Sequence, residues 1–154
     1  MLFCGINPGL VSAATGHHFA RPGNRFWPAL YRSGFTDRLL LPAEQEELLR
    51  YRLGITNLVA RSTAGAAELA RDEIRSGSAT LILNLRRYRP AWLAVLGVGA
   101  FRTAFERPSA VVGPQPEPIA GVRTWLLPNP SGLNAHYQLD SLAAQFARLR
   151  SAAS

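Results

Sequence analysis

Short apolar runs separated by helical stretches constrain this chain more than any other feature. Leu2-Phe3-Cys4-Gly5-Ile6, Trp92-Leu93-Ala94-Val95-Leu96 and Thr124-Trp125-Leu126-Leu127 lack the apolar–polar alternation of a half-solvated strand, and Gly54 to Val59 reads as a further strand. Continuous apolar strands are buried on both faces, which is the habit of parallel sheets covered by helices on either side. The intervening segments supply the helices. Asn24 is placed to cap one running through Phe26, Trp27, Leu30 and Tyr31, with Gly34 as its stop. Pro42 opens a second stretch, Glu44 to Arg52, and Ser78 to Tyr88 sets Leu81, Leu85 and Tyr88 on one face. A short helix through Phe101 and Phe105 and a final one from Leu139 to Leu149 complete the pattern. The reading predicts a single α/β domain over residues 1–154: a three-layer sandwich around a central, mostly parallel four-stranded sheet. Pro108 to Gly121, rich in proline and glycine, reads as a surface excursion.

At 47% hydrophobic, 154 residues bury a core without help from metals or disulfides. All 17 basic residues are arginine, which excludes a P-loop lysine, a Schiff-base lysine and a lysine general base. The single cysteine, Cys4, with His17, His18 and His136, falls short of a four-cysteine zinc or iron–sulfur site, so no metal and no cofactor are expected. One unpaired cysteine also fits a reducing, cytoplasmic setting. No apolar run reaches bilayer-spanning length and Met1 to Cys4 is too short for a signal peptide's core, so no membrane partner is expected. The abrupt start of the first strand at Leu2 leaves room for a segment upstream of Met1.

The formal charge of +7 makes polyanions the first partner class to consider. Its placement sharpens the point. Residues 1–36 hold Arg21, Arg25 and Arg32 and no acid, and residues 118–139 hold no acid either. Carboxylates gather at Glu44, Glu46 and Glu47 and at Glu68, Asp72 and Glu73, the pattern of a molecule with one anion-facing side.

In doubly wound folds ligands collect at the carboxyl ends of the strands, and two of those ends stand out. Gly5-Ile6-Asn7-Pro8-Gly9 follows the first strand and Pro128-Asn129-Pro130-Ser131-Gly132-Leu133-Asn134 follows the last; each sets an asparagine beside a proline. With the intervening Phe19-Ala20-Arg21-Pro22-Gly23-Asn24-Arg25-Phe26-Trp27, these motifs make the chain resemble the mismatch-specific uracil-DNA glycosylases, bacterial relatives of thymine-DNA glycosylase. The resemblance covers nearly the whole chain. It implies a monomeric repair enzyme that flips uracil, or a related damaged pyrimidine, out of double-stranded DNA and hydrolyses its glycosidic bond, above all at G·U mismatches.

Residue by residue, the resemblance gives Asn7 the catalytic place, orienting a water that an amide cannot deprotonate. Chemistry of that kind suits a dissociative reaction in which the sugar becomes cation-like before water attacks. Phe19 matches the residue that stacks on the flipped base, Ile6 contributes backbone groups to base binding, and Asn129 stands near the leaving base. Phe19 also reads as a core phenylalanine, and Asn129 as a turn residue before Pro130. Gly132, Leu133 and Asn134 match the loop pushed into the opened duplex, with Leu133 as the wedge. Ala135-His136-Tyr137-Gln138 departs from the family pattern, where an arginine usually follows the wedge. Asn134 or His136 then takes over opposite-base reading, unless His136 is a surface group. Arg21 and Arg25 are expected on phosphate. Asn57 receives no role. Two other readings stay open: a non-catalytic DNA-binding module of the same fold, and a glycosylase for another base adduct. Gly97-Val98-Gly99-Ala100-Phe101-Arg102 resembles a dinucleotide fingerprint only in its opening, because Arg102 stands where the third glycine belongs.

Overall fold

The computed structural model describes residues 1–154. Strands β1 (Leu2–Gly5), β2 (Gly54–Asn57), β3 (Trp92–Leu96), β4 (Gly113–Pro114) and β5 (Arg123–Leu127) form one sheet in the order β2-β1-β3-β5-β4. All pairings are parallel except β4 with β5. The expected mostly parallel sheet between helical layers is present, with five strands instead of four. The additional strand is two residues of the Pro108–Gly121 excursion, lying antiparallel along β5, where an edge strand needs little hydrogen bonding and tolerates Pro114.

The apolar runs work as both-face strands. Phe3, Ala94, Leu96, Trp125 and Leu127 point into one core beneath α2 (Phe26–Arg32) and α5 (Leu139–Ala153), with Leu30, Leu142 and Phe146. Their neighbours Cys4, Leu93, Val95 and Leu126 point into the other, beneath α3 (Arg71–Tyr88) and α4 (Val98–Ala104), with Leu81, Leu85 and Phe101. Cys4 is fully buried, and loss of hydration pushes its thiol up to about 12, leaving it an inert packing group.

The helices depart from the sequence reading where polar chemistry, not apolar spacing, sets their ends. α3 starts at Arg71, seven residues before the expected Ser78, because Glu73 reaches back to the Ala70 N–H and closes a polar first turn. The expected helix over Glu44 to Arg52 is instead a 3₁₀ segment, Pro42–Tyr51, kinked at Glu44, whose side chain accepts the Leu41 N–H. A six-residue helix, α1 (Leu10–Thr15), follows the first motif directly and has no buried residue to announce it. The N-cap of α2 is Arg25 and not the expected Asn24, which stands one residue earlier and leads into the helix by an Asx turn, its Oδ1 accepting the Phe26 N–H at 2.9 Å. Gly97, with φ of +128°, opens α4 in a conformation that favours glycine, and a β-carbon there would lie 3.0 Å from Ile6 Cδ1. That glycine thus serves backbone geometry next to the first motif.

Gly77 lets α3 lie directly on the end of β2: a β-carbon there would stand 2.1 Å from the Leu58 carbonyl oxygen. Gly77→Ala should therefore force the helix outward and cost roughly 1–3 kcal/mol, read as a lower urea midpoint at unchanged slope. An unchanged midpoint would show that α3 can shift without loss.

Candidate active site

The carboxyl ends of β1, β3 and β5 open into one cavity of about 700 Å³. Both asparagine–proline motifs, the Phe19 segment and the loop after β2 line it. Its base is set by a glycine. At Gly5 a β-carbon would lie 2.6 Å from Asn57 Oδ1 and 3.2 Å from Phe19 Cζ, so only a residue without a side chain lets these two groups cross the end of β1.

Asn7 is clamped by its nitrogen. Nδ2 donates to the Arg61 carbonyl at 2.9 Å and to Thr63 Oγ1 at 2.8 Å. A carbonyl oxygen only accepts, so the amide is oriented by that partner, and Oδ1 is left without a protein donor. The loop carrying these partners is itself fastened: Arg61 makes a two-pronged ion pair with Glu73 at the start of α3, both contacts 2.9 Å. The same guanidinium holds the Glu73 carboxyl below the usual carboxylate range.

Phe19 has φ of +52°, a left-handed conformation rare for a bulky residue, and its neighbours impose it. The His18 N–H donates to Gln45 Oε1, the His18 carbonyl accepts from Trp27 Nε1, and the Ala20 N–H donates to Ser12 Oγ. The ring rests on Phe26 at 4.3 Å between centroids, 28° from parallel, and lines the cavity. It packs against the core and lines the cavity at once.

Ile6 accepts the Val59 N–H through its carbonyl, whereas its own N–H bonds to no backbone carbonyl. Asn129 forms an Asx turn, Oδ1 accepting the Ser131 N–H at 3.0 Å, so its Nδ2 remains as the free polar end. Leu133, at the tip of the following loop, is 72% exposed. Gly132 passes the Arg21–Asn24 turn so closely that a β-carbon would meet the Gly23 carbonyl oxygen at 2.7 Å. Asn134 faces inward, its Nδ2 donating to the Asn129 carbonyl, while exposed His136 donates its N–H to Asn134 Oδ1.

Arg25 corrects the expectation of a phosphate-facing side chain. Its guanidinium turns inward and donates to the carbonyls of Ser131, Asn134 (3.2 Å) and Tyr137, with Pro130 at 3.4 Å from Nε. These acceptors belong to one loop, so Arg25 is a strut holding the Leu133 loop against the start of α2. Arg21 by contrast is exposed on the cavity rim.

No carboxylate lines the cavity, and Arg21 is the one side chain there with a fixed charge. Sequence reasoning missed His18, which lines the cavity and whose burial disfavours the charged form, lowering its pKa. It also missed Thr63, and it left Asn57 without a place. The signal available for Thr63 and Asn57 was position alone: polar residues at or just beyond the carboxyl end of a strand.

A family model described as the uracil DNA glycosylase superfamily matches residues 1–151. The chain belongs to the uracil-DNA glycosylase superfamily. Membership makes it a DNA glycosylase of the superfamily that acts on damaged bases, a base-excision repair hydrolase with DNA as its partner. The superfamily match spans both asparagine–proline motifs, the Phe19 segment and the Leu133 loop.

The Arg25 strut makes a direct prediction. Arg25→Met keeps the length of the side chain and removes its donors, and hydrogen bonds to a charged group contribute roughly 1.5–3 kcal/mol. Amide hydrogen exchange at Leu133, Asn134 and His136 should accelerate tenfold or more. Unchanged exchange would mean that the loop's own hydrogen bonds suffice.

Proposed function

We propose that this chain is a mismatch-specific uracil-DNA glycosylase, allied to thymine-DNA glycosylase. Its substrate is uracil or a related damaged pyrimidine in double-stranded DNA, above all opposite guanine. The observation that carries the reading is the Asn7 amide, fixed by Nδ2 and with Oδ1 unpaired, in the lining of a cavity that has no carboxylate.

The flipped base stacks on Phe19, a contact worth roughly 1–3 kcal/mol. The Ile6 N–H and Asn129 Nδ2 donate to the base's polar edge. As the glycosidic bond breaks, its electron pair leaves with the base, and these donors stabilise the developing negative charge. A cavity without acids does not repel that anion. The cation-like sugar is then met by a water whose hydrogen is accepted by Asn7 Oδ1. Its oxygen bonds to the anomeric carbon, and the proton passes to solvent. The chain has no lysine for an imine with the abasic sugar, and the one remaining amine, the Met1 α-amino group, donates to the Arg52 carbonyl, so the reaction ends at base release without strand cleavage. Leu133 fills the gap left in the helix, and Arg21 meets the phosphate backbone.

Single-turnover assays on a duplex panel test this reading. Uracil opposite guanine should be released fastest among the lesions. Binding without release of any base would favour a non-catalytic module, and faster release of a bulkier adduct would move the substrate. Asn7→Ala should slow the chemical step about 10²-fold with little change in duplex affinity; cleavage at the wild-type rate would remove the water-positioning role.

Binding is testable separately. Leu133→Ala should weaken affinity for the abasic product, and Arg21→Ala should lower the salt slope of duplex binding by about 1. Unchanged product affinity or an unchanged slope would remove the corresponding contact.

A further inference from the structure

Thr63 is 5% exposed, and its hydroxyl makes two short contacts of opposite sense. Oγ1 lies 2.8 Å from the Gly65 carbonyl oxygen and 2.8 Å from Asn7 Nδ2. A hydroxyl has one proton and a carbonyl oxygen can only accept, so that proton is committed to Gly65. Toward Asn7 the hydroxyl therefore presents only lone pairs. The Arg61 carbonyl, 2.9 Å from the same nitrogen, presents lone pairs as well. A flipped Asn7 amide would set Oδ1 against two acceptors and turn two N–H donors toward the cavity.

We infer that Thr63 is a positioning residue that fixes the polarity of the Asn7 amide, so that the cavity receives an acceptor and not a donor. Its catalytic consequence rests on the water-positioning role proposed for Asn7. A water that must attack through oxygen can give a hydrogen to Oδ1 and keep a lone pair for the sugar. Facing Nδ2, the same water would spend that lone pair as an acceptor. The polarity of one amide thus separates an oriented nucleophile from a misdirected one.

The backbone is secured independently of the hydroxyl. The Thr63 N–H donates to the Pro8 carbonyl at 3.2 Å, and Arg61 is held by Glu73. Thr63→Val keeps both the backbone bond and the shape of the side chain while removing the acceptor. Thr63→Ser keeps the acceptor.

Two readouts decide the proposal. In the free protein, the Asn7 side-chain N–H facing position 63 should exchange with solvent about tenfold faster in Thr63→Val, and Thr63→Ser should restore protection. Unchanged exchange in Thr63→Val overturns the proposal whether or not any duplex is cleaved. On a U·G duplex, Thr63→Val should slow the single-turnover step about tenfold at unchanged affinity, with Thr63→Ser near wild type. Because the effect runs through Asn7, adding Thr63→Val to Asn7→Ala should slow it no further. An equal slowing in both backgrounds would make Thr63 a general support of the loop and overturn the assignment. Failure of the wild-type enzyme to release any base would instead count against the glycosylase reading alone.

Discussion

The hydrogen bond from Asn7 Nδ2 to the Arg61 carbonyl is the constraint around which the site is arranged. It ties the turn after β1 to the loop after β2, neighbouring strands whose ends would otherwise carry independent loops. Together with the bond to Thr63 Oγ1 it also decides chemistry, because an amide bound through nitrogen offers only an acceptor to whatever enters the cavity. The loop that supplies the carbonyl is fastened in turn to α3 through Arg61 and Glu73. The reacting end of the site is therefore braced by a helix that lies on the opposite side from Phe19 and α2.

The other half of the cavity is built on a different principle. The Leu133 loop has no apolar interior of its own and is held by polar groups: an Asx turn at Asn129, the inward Asn134 amide, and the Arg25 guanidinium. Placing a cation behind a ring of carbonyls satisfies acceptors that a buried loop would otherwise leave unpaired. The loop is thereby firm at its base, while Leu133 stands in solvent at its tip. Arg25 sits at the start of α2, on the same segment that carries Phe19, so the Phe19 ring and the loop share one support.

The sheet was readable in the sequence because buried parallel strands need continuous apolar runs, and Trp92 to Leu96 and Trp125 to Leu127 supply them plainly. β4 was not, since two residues at an edge leave no periodic signal. The start of α3 was hidden for the opposite reason: Arg71, Asp72 and Glu73 form a polar first turn that apolar spacing does not register. In the site, Asn7, Phe19 and Asn129 were singled out through the motifs that carry the family resemblance, and all three line one cavity. Arg25 was placed on the wrong partner because local charge is visible in a sequence and distant carbonyls, more than a hundred residues away along the chain, are not. Thr63 escaped because a lone hydroxyl has no pattern until its two partners are known.

A site built on an amide, with no carboxylate beside it, differs in kind from one that generates hydroxide. Cys4 is buried in the core with its thiol pushed up to about 12, and His18 is lowered by burial toward the neutral form. With that environment neither Cys4 nor His18 titrates between pH 7 and 9. The most direct measurement is the pH dependence of the single-turnover rate on a U·G duplex with enzyme saturating. A flat profile across that range is the expected result. A limb that follows one ionisation within it, retained in His18→Gln, would show that a base outside this arrangement activates the water and would contradict the account.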